Sequence, residues 1–415
     1  MTQHETYWDI VWQQFRKNRL ASWAVRALTP VVAIAICAPL ICSNQPLVFD
    51  EGPQRLYPWF RGLFHTAEPV DYLFNMALIG FPVWAVAALI QNRRWKARGA
   101  SVGRRWWWLS LQYVGLTAVL ATAFSVPVLR PRNVYASRTF TQEQFASAQT
   151  KHGIYVLIPF GPIEQDLFGC ENRPPLFRKP AAEWRESNDG FPHLIGTDNA
   201  GRDVFTRLVY GTRISITVGI VAVGIYLTIG CVLGSLAGYF GGFVDILISR
   251  VIEIVLLFPA FFLILTLVGL IGPSIYIIMV VIGLTGWPSI ARLIRGEVLK
   301  QRAADYVSAA QALGFTHARI VFRHILPNSL APALVAAPFG IANAIITEAG
   351  LSLLGFGVRP PTPSWGNVLR LGSENYSLVW LVIAPSLGIF FTVTVFNLIG
   401  NGLRDAMDPR LRSTR

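Results

Sequence analysis

Eight apolar runs, each close to the length a helix needs to cross a bilayer, constrain this chain more than any other feature. About 20 apolar residues carry an α-helix through the hydrocarbon layer, and a spanning segment must satisfy its own backbone polar groups. Such runs occupy residues 27–43, 70–90, 107–129, 212–239, roughly 249–271, 274–291, 328–348 and 378–400. The predicted class is an all-α polytopic membrane protein with about eight transmembrane helices. Composition agrees, with 53% hydrophobic residues, 14% charged residues and a mean hydropathy of +0.45, well away from soluble averages.

The formal charge of +13 does not point to nucleic acid, because no basic stripe alternates with aromatics on a polar surface. It fits the excess of Lys and Arg in cytoplasmic loops. Eight spans return the C-terminus to the side of the N-terminus. One side then holds Arg16, Lys17 and Arg19, the connector with Arg93, Arg94, Lys96, Arg98, Arg104 and Arg105, and a polar segment with Arg292, Arg295, Lys300, Arg302, Arg319 and Arg323. The tail residues Arg404, Arg410 and Arg412 join them, whereas loop 44–69 on the other side has only Arg55 and Arg61. The long polar stretch 130–211 is exempt, since long loops cross regardless of charge. The first run lacks a small-residue cleavage site and reads as an uncleaved span.

Several features inside the runs carry expectations. Trp8, Ile10, Val11, Trp12 and Phe15 suggest an interfacial N-terminal helix, and Trp106, Trp107 and Trp108 an interfacial belt. Gly219, Gly224, Gly230, Gly234 and Gly238 suit close helix packing, and Pro259 should kink its helix. Arg250 and Glu253 near the start of one run are either functional intramembrane charges or an interfacial pair. Glu348 ends another span. Cys37, Cys42, Cys170 and Cys231 have no metal-ligand spacing and read as small apolar fillers.

The polar segment 297–327, EVLKQRAADYVSAAQALGFTHARIVFRHILP, leaves the membrane between two apolar runs. Ala303, Ala304, Val307, Ala310 and Leu313 recur at helical spacing and predict a short helix with one mildly apolar, small-residue face. Gly314 is its expected stop. Ser308, Ala309 and Ala310 would let another protein approach the backbone closely, and Leu326-Pro327 closes the segment. A docking element explains this better than a buried anchor.

The segment resembles the EAA loop of permease subunits of ATP-driven (ABC) importers, which reads Glu-Ala-Ala, three residues, Gly, then Ile-x-Leu-Pro. Ser308-Ala309-Ala310, Gly314 and His324-Ile325-Leu326-Pro327 match, with Ser in place of Glu and His in place of Ile. The string WQQFRKNRLASW resembles the N-terminal segment of dipeptide and oligopeptide permeases. Gly196, Thr197, Asp198, Gly201, Arg202, Asp203, Thr206, Arg207, Tyr210, Gly211 and Arg213 match the Gly-Thr-Asp segment of those proteins. GLSLLGFGVRPPTPSWGNVL resembles a third segment. Read chemically, the Gly-Thr-Asp stretch is a capped turn leading into a helix along the membrane surface. Asp198 and Asp203 serve there as a turn cap with an Arg partner rather than as cation ligands.

The resemblance implies a type I ABC importer permease fold, closest to the dipeptide/oligopeptide type and its Yej-type branch. It divides the chain into a cytoplasmic segment and first span (1–43), a periplasmic loop (44–69), an inserted transmembrane hairpin (70–129), a long periplasmic segment (130–211), a permease core with its docking loop 297–327 (212–400) and a cytoplasmic tail (401–415). It also implies a bacterial inner-membrane location, a second permease subunit, two ATP-binding subunits that bind the ATP, a periplasmic binding protein and a peptide substrate, with no cofactor or metal in this chain. The chain has no G-x-x-x-x-G-K-[ST] loop, and no lysine follows a glycine, so the energy must arrive from another subunit. The loss of the Glu at Ser308 leaves the docking role without a specific ion pair. The rivals are a nickel or other small-solute permease of the same family and an ion-coupled secondary transporter. The latter is disfavoured by the absence of repeated halves and of charges at midplane.

Overall fold

The computed structural model describes residues 7–51, 54–66, 68–97, 102–126, 129–131, 151–166, 169–180 and 190–407. Arg98, Arg410 and Arg412 lie outside them. In order, the chain forms α1 (Tyr7–Lys17), α2 (Arg19–Ile41), β1 (Val48–Glu51), β2 (Gln54–Leu56), α3 (Pro58–Gly62), α4 (Pro69–Ala97), α5 (Val102–Ser125) and β3 (Lys151–Ile154). It continues with α6 (Val204–Phe240), α7 (Gly242–Leu257), α8 (Ala260–Ile271), α9 (Ile275–Arg302) and α10 (Asp305–Ala312). The remainder is α11 (His317–Arg319), a π-helical turn (Ile320–Ile325), α12 (Leu326–Ser329), α13 (Ala331–Leu353), α14 (Trp365–Glu374) and α15 (Val379–Met407).

Two compact units result, one from Met1–Leu28, Ser215–Arg359 and Ile389–Arg415, the other from Thr29–Ile214 and Pro360–Gly388. In the first, the glycines of α6 are where α9 and α13 come closest. A Cβ on Gly230 would lie 2.7 Å from Ile290, one on Gly234 2.5 Å from the Ala291 carbonyl, and one on Gly238 2.8 Å from the Arg295 carbonyl. Gly219 meets Ile341 of α13 in the same way, while Gly224 faces open space. The expected packing role thus holds for all but Gly224. Gly234→Leu should push α6 and α9 apart at a cost of about 1–3 kcal/mol, read as earlier thermal unfolding of the detergent-solubilised protein.

The N-terminal helix does not rest on lipid alone. Val11 and Phe15 of α1 pack with Ala21 against Leu403, Ala406 and Met407 of α15, and Asn18 donates to Asp405 at 3.1 Å. The start of α2 and the end of α15 are therefore on one side of the membrane, so the number of crossings between them is even. Among the described residues seven helices are long and apolar enough to cross, and eight if α7 and α8, bent by 83° to each other, count as one span. Only with that pair counted does the parity close. Phe258-Pro259 breaks the pair into two helices where the sequence suggested one kinked helix.

In the second unit, α4 and α5 form a hairpin held by aromatic side chains that donate to backbone carbonyls. Trp84 reaches Leu109 (2.8 Å), Tyr113 reaches Ala77 (2.9 Å) and Tyr72 reaches Ala121 (3.1 Å). The two polar stretches between spans contribute a feature the sequence reading lacked, an antiparallel sheet in the order β2-β1-β3, with buried Phe49 opposite Leu56 and Gly153.

Candidate functional site

The polar segment 297–327 folds entirely within the first unit. Helix α9 ends at Arg302, Ala303 is its C-cap and Ala304 the N-cap of α10. The single face expected from Ala303 to Leu313 is therefore split between a junction and a helix. Val307 and Ala310 turn inward and are buried against Val298, Ile320, Val321 and Ile325. Ser308 and Ala309 point outward. Leu313 does not share the buried face: it caps α10 and is 72% exposed, because the chain turns there.

Gly314 terminates α10 with φ +74. Its N–H donates to the Gln311 carbonyl (2.9 Å) and the Phe315 N–H to the Ala310 carbonyl (3.1 Å), the paired bonds of a Schellman motif. The return leg is anchored by His317, whose ring lies 2.8 Å from the Tyr239 hydroxyl, and by Arg319 over the Phe315 ring. Leu326 is half-buried and Pro327 exposed. Asp245 of α7 accepts from Arg295 of α9 at 2.6 Å, one of two charge-assisted bonds that join these helices. The loop is thus a compact helix–turn–helix bound to α6, α7 and α9, with small side chains, Leu313 and half-exposed Phe322 on its outer surface.

The Gly-Thr-Asp stretch, in the second unit, is a cap of buried charges. Gly196 (φ +87) and Gly201 (φ +68) hold conformations that L side chains rarely adopt, and a Cβ on Gly201 would fall 1.8 Å from the Asp166 carbonyl. Asp198 accepts from the N–H groups of Ala200 (2.9 Å) and Arg202 (3.0 Å) and from Arg202 Nε (2.7 Å). Asp203 accepts from the Thr206 N–H and hydroxyl, both at 2.8 Å, and its other oxygen lies 2.9 Å from His193. That is an N-cap for α6. Thr197 accepts from the Arg173 N–H at 2.8 Å and donates to the Cys170 carbonyl.

Helix α6 then runs unbroken to Phe240. The separate surface helix expected after this turn is absent; with no breaker between Val204 and Phe240, the capped turn and the span share one helix. Among the described residues no group of three His, Cys, Asp or Glu could hold a metal ion. All four cysteines are free, three of them buried. Cys42 is fully buried, as a small apolar filler should be.

What the sequence order could not indicate is that this cap meets the third motif block. Arg207, fully buried, donates to Asn367 (2.9 Å) and to the Pro361 carbonyl (3.4 Å), and lies 3.5 Å from Asp198. Trp365 donates to the Leu208 carbonyl and Trp380 to that of Thr197, each at 3.1 Å. Arg213, also buried, pairs with Asp71 (3.0 Å) and donates to the Ala35 carbonyl (2.6 Å), tying α6 to α4 and α2.

Residues 230–413 match the family model of the binding-protein-dependent transport system inner membrane component, and residues 6–58 that of the N-terminal transmembrane domain of oligopeptide transport permease C. The chain is 44% identical over 222 residues to the dipeptide transport system permease protein DppC of Alkalihalophilus pseudofirmus, covering 53% of this chain and 73% of that protein. It is 36% identical over 304 residues to the glutathione transport system permease protein GsiD of Pectobacterium atrosepticum, covering 71% of this chain and 98% of that protein. A chain of the MetNI methionine ABC transporter in an inward-facing conformation aligns with a TM-score of 0.41 and 17% identity, over 49% of this chain and 97% of that one. By its likeness to nearly the whole length of GsiD and by both family models, the chain belongs to the binding-protein-dependent transport system inner membrane components, in the branch of peptide-type ABC importer permeases.

Proposed function

We propose that this chain is one of two permease subunits of a bacterial inner-membrane importer that moves di- or oligopeptides delivered by a periplasmic binding protein. Its loop 297–327 is the docking element for one of two ATP-binding subunits, which bind and hydrolyse the ATP; the chain has no ATPase site of its own. Both termini are cytoplasmic, on the side of the basic loops. Residues 70–129 are an addition to the permease core, facing lipid.

One observation carries the reading: α10 presents Ser308, Ala309 and Leu313 outward while Val307 and Ala310 lock it to the core that holds α6, α7 and α9. A helix held this way moves as a rigid body with the spans beneath it, which is what coupling a partner's closure to alternating access requires. The Gly-Thr-Asp cap, among whose described residues no group of His, Cys, Asp or Glu could hold a metal ion, serves as a rigid extracytoplasmic seat.

The test is ATPase activity of the complex purified through this chain, with and without peptide-loaded binding protein. Stimulation several-fold by the loaded carrier is expected. A chain that purifies alone, with no ATPase activity, would sink the docking assignment.

A further inference from the structure

Helix α7 carries a charged pair on its open face. Arg250 donates to Glu253 at 2.5 Å, and the two side chains remain 71% and 52% exposed. Phe243, Ile246, Leu247, Ile254 and Leu257 surround them, all apolar and all exposed, at the steps that share a helix face. The opposite face, with Ile248, Ile252 and Val255, is the one packed on the core. Glu253 Oε2 accepts from Arg250 Nη1, and the other carboxylate oxygen and guanidinium N–H groups remain for an outside partner.

The depth of this pair matters. Asp245 of α7 is joined to Arg295 of α9, and Arg292, Arg295, Lys300 and Arg302 mark where α9 leaves the apolar layer. Glu253 is about 12 Å farther along α7 than Asp245 at 1.5 Å per residue, which places it within the hydrocarbon layer. An arginine can reach back to an interface along its long stem; a glutamate has no such reach. Ionised groups at such depth face protein or water, not lipid. A dry protein interface would strip the unused carboxylate oxygen and N–H groups of hydrogen bonds. A water-filled passage satisfies them. A peptide with free ends also matches the pair chemically, its α-ammonium suited to the carboxylate and its α-carboxylate to the guanidinium fork.

We propose that the Arg250–Glu253 pair lines the water-filled substrate passage of the assembled importer and binds the charged ends of a passing peptide. The inference rests on the peptide-importer reading above. Two measurements on the whole complex in membrane vesicles test it. Arg250→Cys and Glu253→Cys should each react with a charged, membrane-impermeant thiosulfonate, with the unsubstituted chain, whose cysteines are mostly buried, as the blank. Glu253→Gln and Arg250→Gln should each raise KM for dipeptide uptake about tenfold, as expected for losing one charge-assisted hydrogen bond, while assembling with the other subunits at the normal yield.

Cysteines that resist the reagent but cross-link to the second permease would make this a subunit interface and overturn the proposal. Reactive cysteines with unchanged KM would overturn the ligand assignment, leaving a solvated pair. If loaded binding protein fails to stimulate the ATPase of the unsubstituted complex, the peptide reading fails instead, and thiol labelling still decides whether the passage exists.

Discussion

Gly314→Trp should abolish transport while leaving membrane insertion intact. Adding a side chain at φ +74 has two separable effects. The first is backbone strain, which any L residue incurs and which costs about 1–2 kcal/mol. It is shared by Gly314→Ala, and the Schellman bonds at Ala310 and Gln311 are strong enough to keep the turn formed. The second is bulk. Nothing lies within 4 Å of a Cβ at Gly314, so the first atom of an added side chain enters open space. An indole there adds bulk to the end of the loop that exposes Ser308, Ala309 and Leu313, where the proposed docking partner would sit. The alanine variant should therefore keep most of its uptake and its ATPase partner. The tryptophan variant should lose both, with expression and thermal unfolding close to those of the alanine variant. Normal transport by Gly314→Trp would remove the main support for the docking role.

Arg207→Ala should be the most destabilising single change in the cap, by about 3–5 kcal/mol. The guanidinium is fully buried between Asp198 and Asn367. Its removal leaves a cavity and deprives a buried carboxylate of one of two cationic neighbours, Arg202 being the other. Arg207→Lys should recover little, because one ammonium cannot serve Asn367, Pro361 and Asp198 in their three directions. The contrast is Arg370→Ala, which removes an exposed pair with Glu374, 40% and 50% exposed, and should cost no more than about 0.5 kcal/mol. Denaturant unfolding in detergent micelles reads both. Equal losses for Arg207 and Arg370 would show that the buried network carries no special weight.

The positions of the spans were legible in the sequence because hydropathy is summed over neighbours along the chain. The stop at Gly314 and a distortion of the helix at Pro259 were legible for a related reason: each follows from the backbone preference of one residue. The short helix within 297–327 could be placed on the same basis. The directions of its side chains could not, since the turn at Ala303-Ala304 splits the expected face and the stop at Leu313-Gly314 takes Leu313 off the side that Val307 and Ala310 share.

Everything else depended on partners distant in sequence. Arg207 and Asn367 are 160 residues apart, and no local pattern says that the first motif block closes on the third. The even number of crossings rests on Phe15 and Ala21 meeting Leu403 and Ala406, a contact between the two ends of the chain. Arg250 and Glu253 read from sequence as an edge pair or a functional one; their exposure on the unpacked face of α7 favours the second. Sequence by itself determined where the apolar runs and the polar loops fall, because those follow from local free energies of transfer. Only the tertiary structure decided which charges are buried together and which are left facing outward, because burial is a property of the neighbours that packing brings in.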